Sequence, residues 1–192
     1  MDELSPTELF KDLVNTAISR QQIRAAELTR YYLVDLLCRF LRPDQRILFA
    51  DDSGKPLALR LGQALESSGL EQRARLRNLG DFSLFMSGFF SDSFRRRCVD
   101  VDYYVSMGEY AYGSLARREH DAFGVAFSEL AGKFVPFMDV LGDISERVGM
   151  RTNNDVLRLY EKWLRTGSVR DGRRLEDKGI APNVAIGKRF IQ

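Results

Sequence analysis

Eight apolar residues, Phe123, Phe127, Leu130, Phe134, Phe137, Leu141, Ile144 and Val148, recur alternately four and three apart. An α-helix returns positions of that spacing to one side, so the stripe predicts a helix packed along a neighbour. The stripe keeps its phase through Pro136, which predicts one kinked helix or two nearly collinear ones. Such a stripe suits the inside of a helical domain; it would also serve as the seam of a homodimer.

The rest of the chain reads the same way. Ser5-Pro6-Thr7-Glu8 combines a capping box with a proline at the first helical position. Leu9, Phe10, Leu13, Val14, Ala17 and Ile18 then make one apolar face. A second Ser-x-x-Gln box at Ser19–Gln22 predicts a new helix from near Ser19 to Arg42, where Pro43 stops it. Residues 43–55 form a connection, with a turn at Asp51-Asp52-Ser53-Gly54. A short helix from Pro56 to Ser67 is followed by a charged helical stretch, Leu70 to Leu79, with Arg73, Arg75 and Arg77 outward. A last helix is predicted from Asn153 to Arg165, with Val156, Leu157, Tyr160, Trp163 and Leu164 inward. No alternating pattern is long enough for a sheet, and no repeat of fixed period occurs. The expectation is an all-α, single-domain, orthogonal or bundle-like fold of about six to eight helices. Residues 1–167 form the helical domain, and 168–192 form a mostly irregular tail docked on the body or on a partner.

Two segments place polar groups where plain core is expected. On a helix from Leu79 to Ser93, Gly80, Ser83, Ser87 and Ser91 share one stripe, while Phe82, Phe85, Met86, Phe89 and Phe90 cover the other faces. A helix apolar nearly all round is a buried central helix, and a stripe of small residues lets a neighbour approach closely. The same stripe could floor a pocket. The next helix, from Val99 to Arg117, carries Tyr103, Tyr104, Tyr110 and Tyr112 together with Gly108 and Gly113. Tyrosine couples a large apolar body to a hydroxyl that needs a partner, which suits binding surfaces. Glycines inside a helix weaken it by about 1 kcal/mol each, so they imply close packing, a kink or a ligand. With Tyr104, Gly108 and Ala111 inward, Asp102, Ser106 and Glu109 face away. The candidate ligand- or partner-binding residues are therefore Ser83, Ser87, Tyr103, Tyr104, Gly108, Tyr110 and Tyr112.

The residue types exclude several chemistries. The single histidine, His120, has Arg117 three positions before it, so Glu-x-x-His metal pairs are missing, and no metal or cofactor site is expected. No phosphate loop, dinucleotide fingerprint or nucleophile elbow occurs. Lys55-Pro56 breaks a calcium loop at the paired aspartates. Cys38 and Cys98 stand apart, as free thiols of a reducing compartment do. A net charge of +2 gives no field for nucleic acid; Arg95-Arg96-Arg97 reads as a solvated helix end, and Thr152–Leu164 makes a weak recognition helix. No apolar run approaches the ~20 residues of a membrane span, and the acidic N-terminus lacks a signal core, so a cytoplasmic location is expected. No catalytic residue is identified; a cofactor-free enzyme could draw only on Asp81, Asp100, Asp102 or Glu109.

These readings favour a non-enzymatic adaptor or regulatory module that binds a protein partner through residues 100–113 and the tail. The alternative is a sensor or carrier of an apolar small molecule, with its pocket between helices 79–93 and 99–117.

Overall fold

The computed structural model describes residues 5–41, 55–90, 101–148, 159, 163 and 169–176. Among these the chain forms eight helices and no strand. Helix α1 (Pro6–Arg20) opens with the expected box: the Glu8 N–H donates to Ser5 Oγ at 3.3 Å, and the Ser5 N–H donates to Glu8 Oε2 at 2.9 Å. Phe10, Val14, Ala17 and Ile18 are buried, whereas Leu9 is exposed and leaves the predicted face.

Ser19 does not start a helix, as the second box had suggested. It lies inside α1, and helix α2 (Glu27–Leu41) begins eight residues later. The turn between them is a Schellman closure. The Gln22 N–H donates to the Ser19 carbonyl at 3.2 Å, and the Ile23 N–H donates to the Ile18 carbonyl at 3.0 Å. Gln22 takes φ +55°, a left-handed value usually held by glycine, so the sequence carried no visible stop signal there.

The start of α2 is completed from far along the chain. Glu129 Oε2 accepts from the Ala26 N–H at 2.8 Å and from the Thr29 hydroxyl at 2.6 Å. A carboxylate at this end satisfies an orphan N–H and complements the helix dipole. Lys133 donates to the other oxygen of Glu129 at 3.1 Å and to the Arg24 carbonyl, closing the junction. Burial raises the proton affinity of Glu129, but the bonds from Thr29, Ala26 and Lys133 outweigh it and hold its pKa below the ordinary 4.5.

Helix α3 (Leu57–Glu66) and helix α4 (Gly69–Phe89) meet at a corner where Gly69 takes φ +59°. The Gln72 amide reaches back to the Ala64 carbonyl at 3.1 Å, satisfying a carbonyl at the end of α3. Arg60 lies over the Phe82 ring, 4.7 Å from its centre. The charged stretch and the apolar stretch that the sequence had separated are one helix of 21 residues. Its second half, Leu79 to Phe89, is buried at every position, as is the capping residue Phe90, which makes it the central helix expected. Phe40 of α2 stacks on Phe85 at 4.2 Å, and Phe85 stacks on Phe89 at 5.0 Å.

Helix α5 (Val101–Ala116) packs most extensively against α4. The 123–148 stripe divides into α6 (Ala122–Gly132) and α7 (Phe134–Arg147). The break falls at Lys133, with φ −125° and ψ 32°, and not at Pro136. Pro136 sits in the first turn of α7, where a missing N–H removes no intrahelical bond. Phe127, Leu130, Phe134, Phe137, Leu141 and Ile144 are buried, so the stripe from 127 to 144 builds this chain's own core.

Leu159 and Trp163 are helical and pack on the core, Trp163 fully buried. The rest of the predicted 153–165 helix lies outside the described residues. Within the C-terminal segment, Val169–Glu176 forms helix α8, and Asp171, Gly172 and Leu175 are buried against the body. The predicted connection at 43–54, Ser91, Arg95–Arg97, Cys98, Asp100 and residues 177–192 also lie outside the described residues.

Candidate functional site

Asp81 is the one carboxylate in the buried half of α4, and it is fully enclosed. Isolated there, its charge would be strongly destabilising, so its partners define the local structure. Oδ1 accepts the hydroxyl of Tyr32 at 2.6 Å and that of Tyr112 at 2.7 Å. Oδ2 accepts Arg39 Nη1 at 2.9 Å. Arg77, one turn before Asp81, lies 3.7 Å from Oδ2 and donates Nε to the Tyr32 hydroxyl at 3.0 Å. Its guanidinium also lies over the Tyr32 ring, 5.0 Å from the centre. Asp35 closes the cluster, 2.8 Å from Arg39 and 3.5 Å from Arg77. Burial, and next the charge of Asp81, pushes both phenols well above their usual 10.0. Burial opposes the charge of Arg39, but Asp81, Tyr32 and Asp35 together outweigh it and hold the guanidinium's proton more tightly than usual.

The outer side of this cluster is a wall of an open groove of about 420 Å³. Arg73, Ala74, Arg77 and Asn78 recur along α4 at helical spacing and form that wall with Arg39. The opposite wall is apolar: Leu115 at the end of α5, and Phe123 and Phe127 of α6. Glu119, in the turn between α5 and α6, sits at the rim and pairs with Arg73 at 3.2 Å. That turn is built locally. Asp121 caps α6 by accepting the N–H groups of Phe123 at 2.9 Å and Gly124 at 3.2 Å. Gly124 lies so close to the Glu119 carbonyl that a side chain there would collide with backbone. The cap thus fixes both Glu119 and Phe123, and Phe123 keeps 44% of its surface exposed.

The residues singled out from the sequence are placed differently. A Cβ on Gly80 would come within 2.8 Å of the Tyr112 ring, one on Gly88 within 2.8 Å of Leu141, and one on Gly108 would collide with the Phe134 ring. The small positions of α4 and α5 are thus filled by neighbouring side chains. Ser83 and Ser87 are fully buried, and the Ser87 hydroxyl bonds back to the Ser83 carbonyl at 2.7 Å. Tyr103 and Tyr104 are half-buried, their rings edge to face at 5.9 Å, and the Tyr103 hydroxyl accepts the Ala58 N–H at 2.8 Å. Tyr112 and Gly108 are buried; Tyr110 is exposed. Of the carboxylates considered for catalysis, Asp102 and Glu109 are exposed, as is Ser106, and Asp81 is sealed among its partners.

Sequence reasoning named Asp81 and Tyr112 but missed Tyr32, Asp35, Arg39, Arg73 and Arg77 as their companions. A signal was present: Arg73, Arg77 and Asp81 follow at four-residue steps, as do Asp35 and Arg39. No group of histidine, cysteine or carboxylate side chains among the described residues could hold a metal ion. No helix among them is long and apolar enough to cross a membrane. No protein-family model, curated protein or solved structure matches the chain.

Proposed function

We propose that this protein is a helical small-molecule-binding module, a sensor or carrier, and that its ligand site is the groove between α4 and α6. The observation that carries the reading is a concavity of about 420 Å³ with one cationic and one aromatic wall. That volume falls in the range of small-ligand sites, as does an apolar lining with a few convergent polar groups. The buried Asp81 cluster supports it by holding Arg39 and Arg77 in place before any ligand arrives, which lowers the ordering required on binding. The ligand position differs from the one the sequence suggested, because the Tyr112 ring fills the α4–α5 seam at Gly80. Native mass spectrometry of the full chain, with and without Phe123→Asp at the exposed ring of the groove, tests the reading. A co-purifying molecule lost from the variant is expected. A groove whose phenylalanine resonances respond to no member of a broad metabolite panel would overturn it.

A second reading, docking of a protein partner, retains one specific support. Tyr110 is 45% exposed on α5 beside the exposed Ser106 and Glu109. Partner capture that survives Tyr110→Ala together with removal of residues 168–192 would end that reading.

A further inference from the structure

We infer that the groove selects a small organic anion: a carboxylate or phosphate head on an otherwise apolar, ring-bearing body. The inference rests on the ligand-binding reading above and specifies its chemistry.

The charge inventory of the groove itself is uneven. Among the described residues, three guanidinium groups, those of Arg39, Arg73 and Arg77, line it, against one carboxylate, Glu119. The acids that balance Arg39 and Arg77 stand behind the wall, since neither Asp35 nor Asp81 lines the groove. An entering molecule therefore meets the cations first. Arg73 and Arg77 are one helical turn apart, roughly 5–6 Å between their Cβ atoms, so both can reach one head group. Guanidinium matches carboxylate and phosphate through paired N–H donors, and a planar fork loses little freedom on doing so.

The two arginines have different roles. Arg77 is fixed by the Tyr32 ring beneath it, by the Tyr32 hydroxyl at 3.0 Å and by Asp35 at 3.5 Å. Among the described residues Arg73 pairs with Glu119 at 3.2 Å, with 46% of its side chain exposed. Exposed pairs of that kind contribute little, so an anion can take the place of Glu119 on Arg73. Across the groove, the rings of Phe123 and Phe127 lie 6.5 Å apart and tilted by 32°. They offer an aromatic face to the body of a ligand whose head sits on the arginines.

The test uses three probes that share one ring system and differ in head charge: naphthoate, naphthalenemethanol and naphthalenemethylammonium. Binding to the full chain is measured by titration calorimetry and located by the ring resonances of Phe123 and Phe127. Naphthoate should bind at least about tenfold more tightly than the alcohol, and the ammonium more weakly than either. Arg73→Gln, a substitution outside the buried cluster, should reduce the preference for the acid over the alcohol several-fold. Added salt should weaken the acid alone. An acid that binds no more tightly than the alcohol, or a preference undiminished in Arg73→Gln, overturns the anion assignment while the ligand-binding reading stands. If none of the three probes perturbs Phe123 or Phe127, both fall.

Discussion

The Tyr112 hydroxyl donates to Oδ1 of Asp81 at 2.7 Å, and this bond ties the two longest neighbouring helices together at the molecule's centre. The Tyr112 ring fills the space left by Gly80, one residue before Asp81. One tyrosine thus satisfies the small residue and the charged residue of the same helical turn.

Asp81→Asn should lower stability by about 3–5 kcal/mol, because the nearly buried Arg39 loses its principal counter-charge. Tyr112→Phe should lower it by about 1–2 kcal/mol, since Asp81 keeps Tyr32 and Arg39. Urea unfolding of both variants checks the order; equal losses would contradict it.

Two glycine substitutions should act in opposite directions. Gly108→Ala drives a methyl into the Phe134 ring and should destabilise by about 1–3 kcal/mol. Gly62→Ala, in α3, meets nothing within 4 Å and should stabilise by about 0.5–1 kcal/mol. Thermal unfolding of the pair against the parent chain is the measurement.

Gln22→Gly should stabilise the chain by about 0.5 kcal/mol, by relieving a left-handed backbone at an exposed turn. Gln22→Val, β-branched at the same φ, should destabilise it. Chemical denaturation of the two variants gives the sign of each.

Acid should unfold the α2–α6 junction through Glu129. Its folded pKa lies below 4.5, so its stabilising contribution is complete above that pH and is lost as pH falls through the folded value. Glu129→Gln should lower stability at pH 7 by about 1 kcal/mol and flatten the fall below pH 4.5. Parallel pH–stability curves for variant and parent would refute the assignment.

Alkali should act through Tyr32 and Tyr112. Both are held neutral in the folded chain well above 10.0, so their contribution is full below that pH and is lost as pH rises toward the folded values. Ultraviolet titration should show these two phenols ionising only as the fold opens; ionisation of either while the fold is intact would contradict the assignment.

Much of this architecture was legible in residue spacing. The helical stripes of α1 and α6–α7, the Ser5 box and the central position of 79–90 all follow from periodicity and capping, which are local. The groove was not legible, because its walls come from residues 39, 73–78 and 115–127, and no local pattern states which faces meet. Tyr112 was read as a candidate ligand- or partner-binding residue because tyrosine density alone does not reveal whether a hydroxyl's partner is water or a buried aspartate. Gln22 and Glu129 illustrate the same limit at helix ends: one takes a glycine's conformation, and the other caps a helix of which it is not part.

The Glu129 cap also imposes an order on synthesis. The acceptor for the Ala26 N–H lies 103 residues downstream. At roughly 5–20 residues per second, that acceptor is translated about 5–20 s after the first turn of α2, which until then has only water to bond. The N-terminal helical hairpin thus reaches its finished form late, after the segment that completes it has left the ribosome.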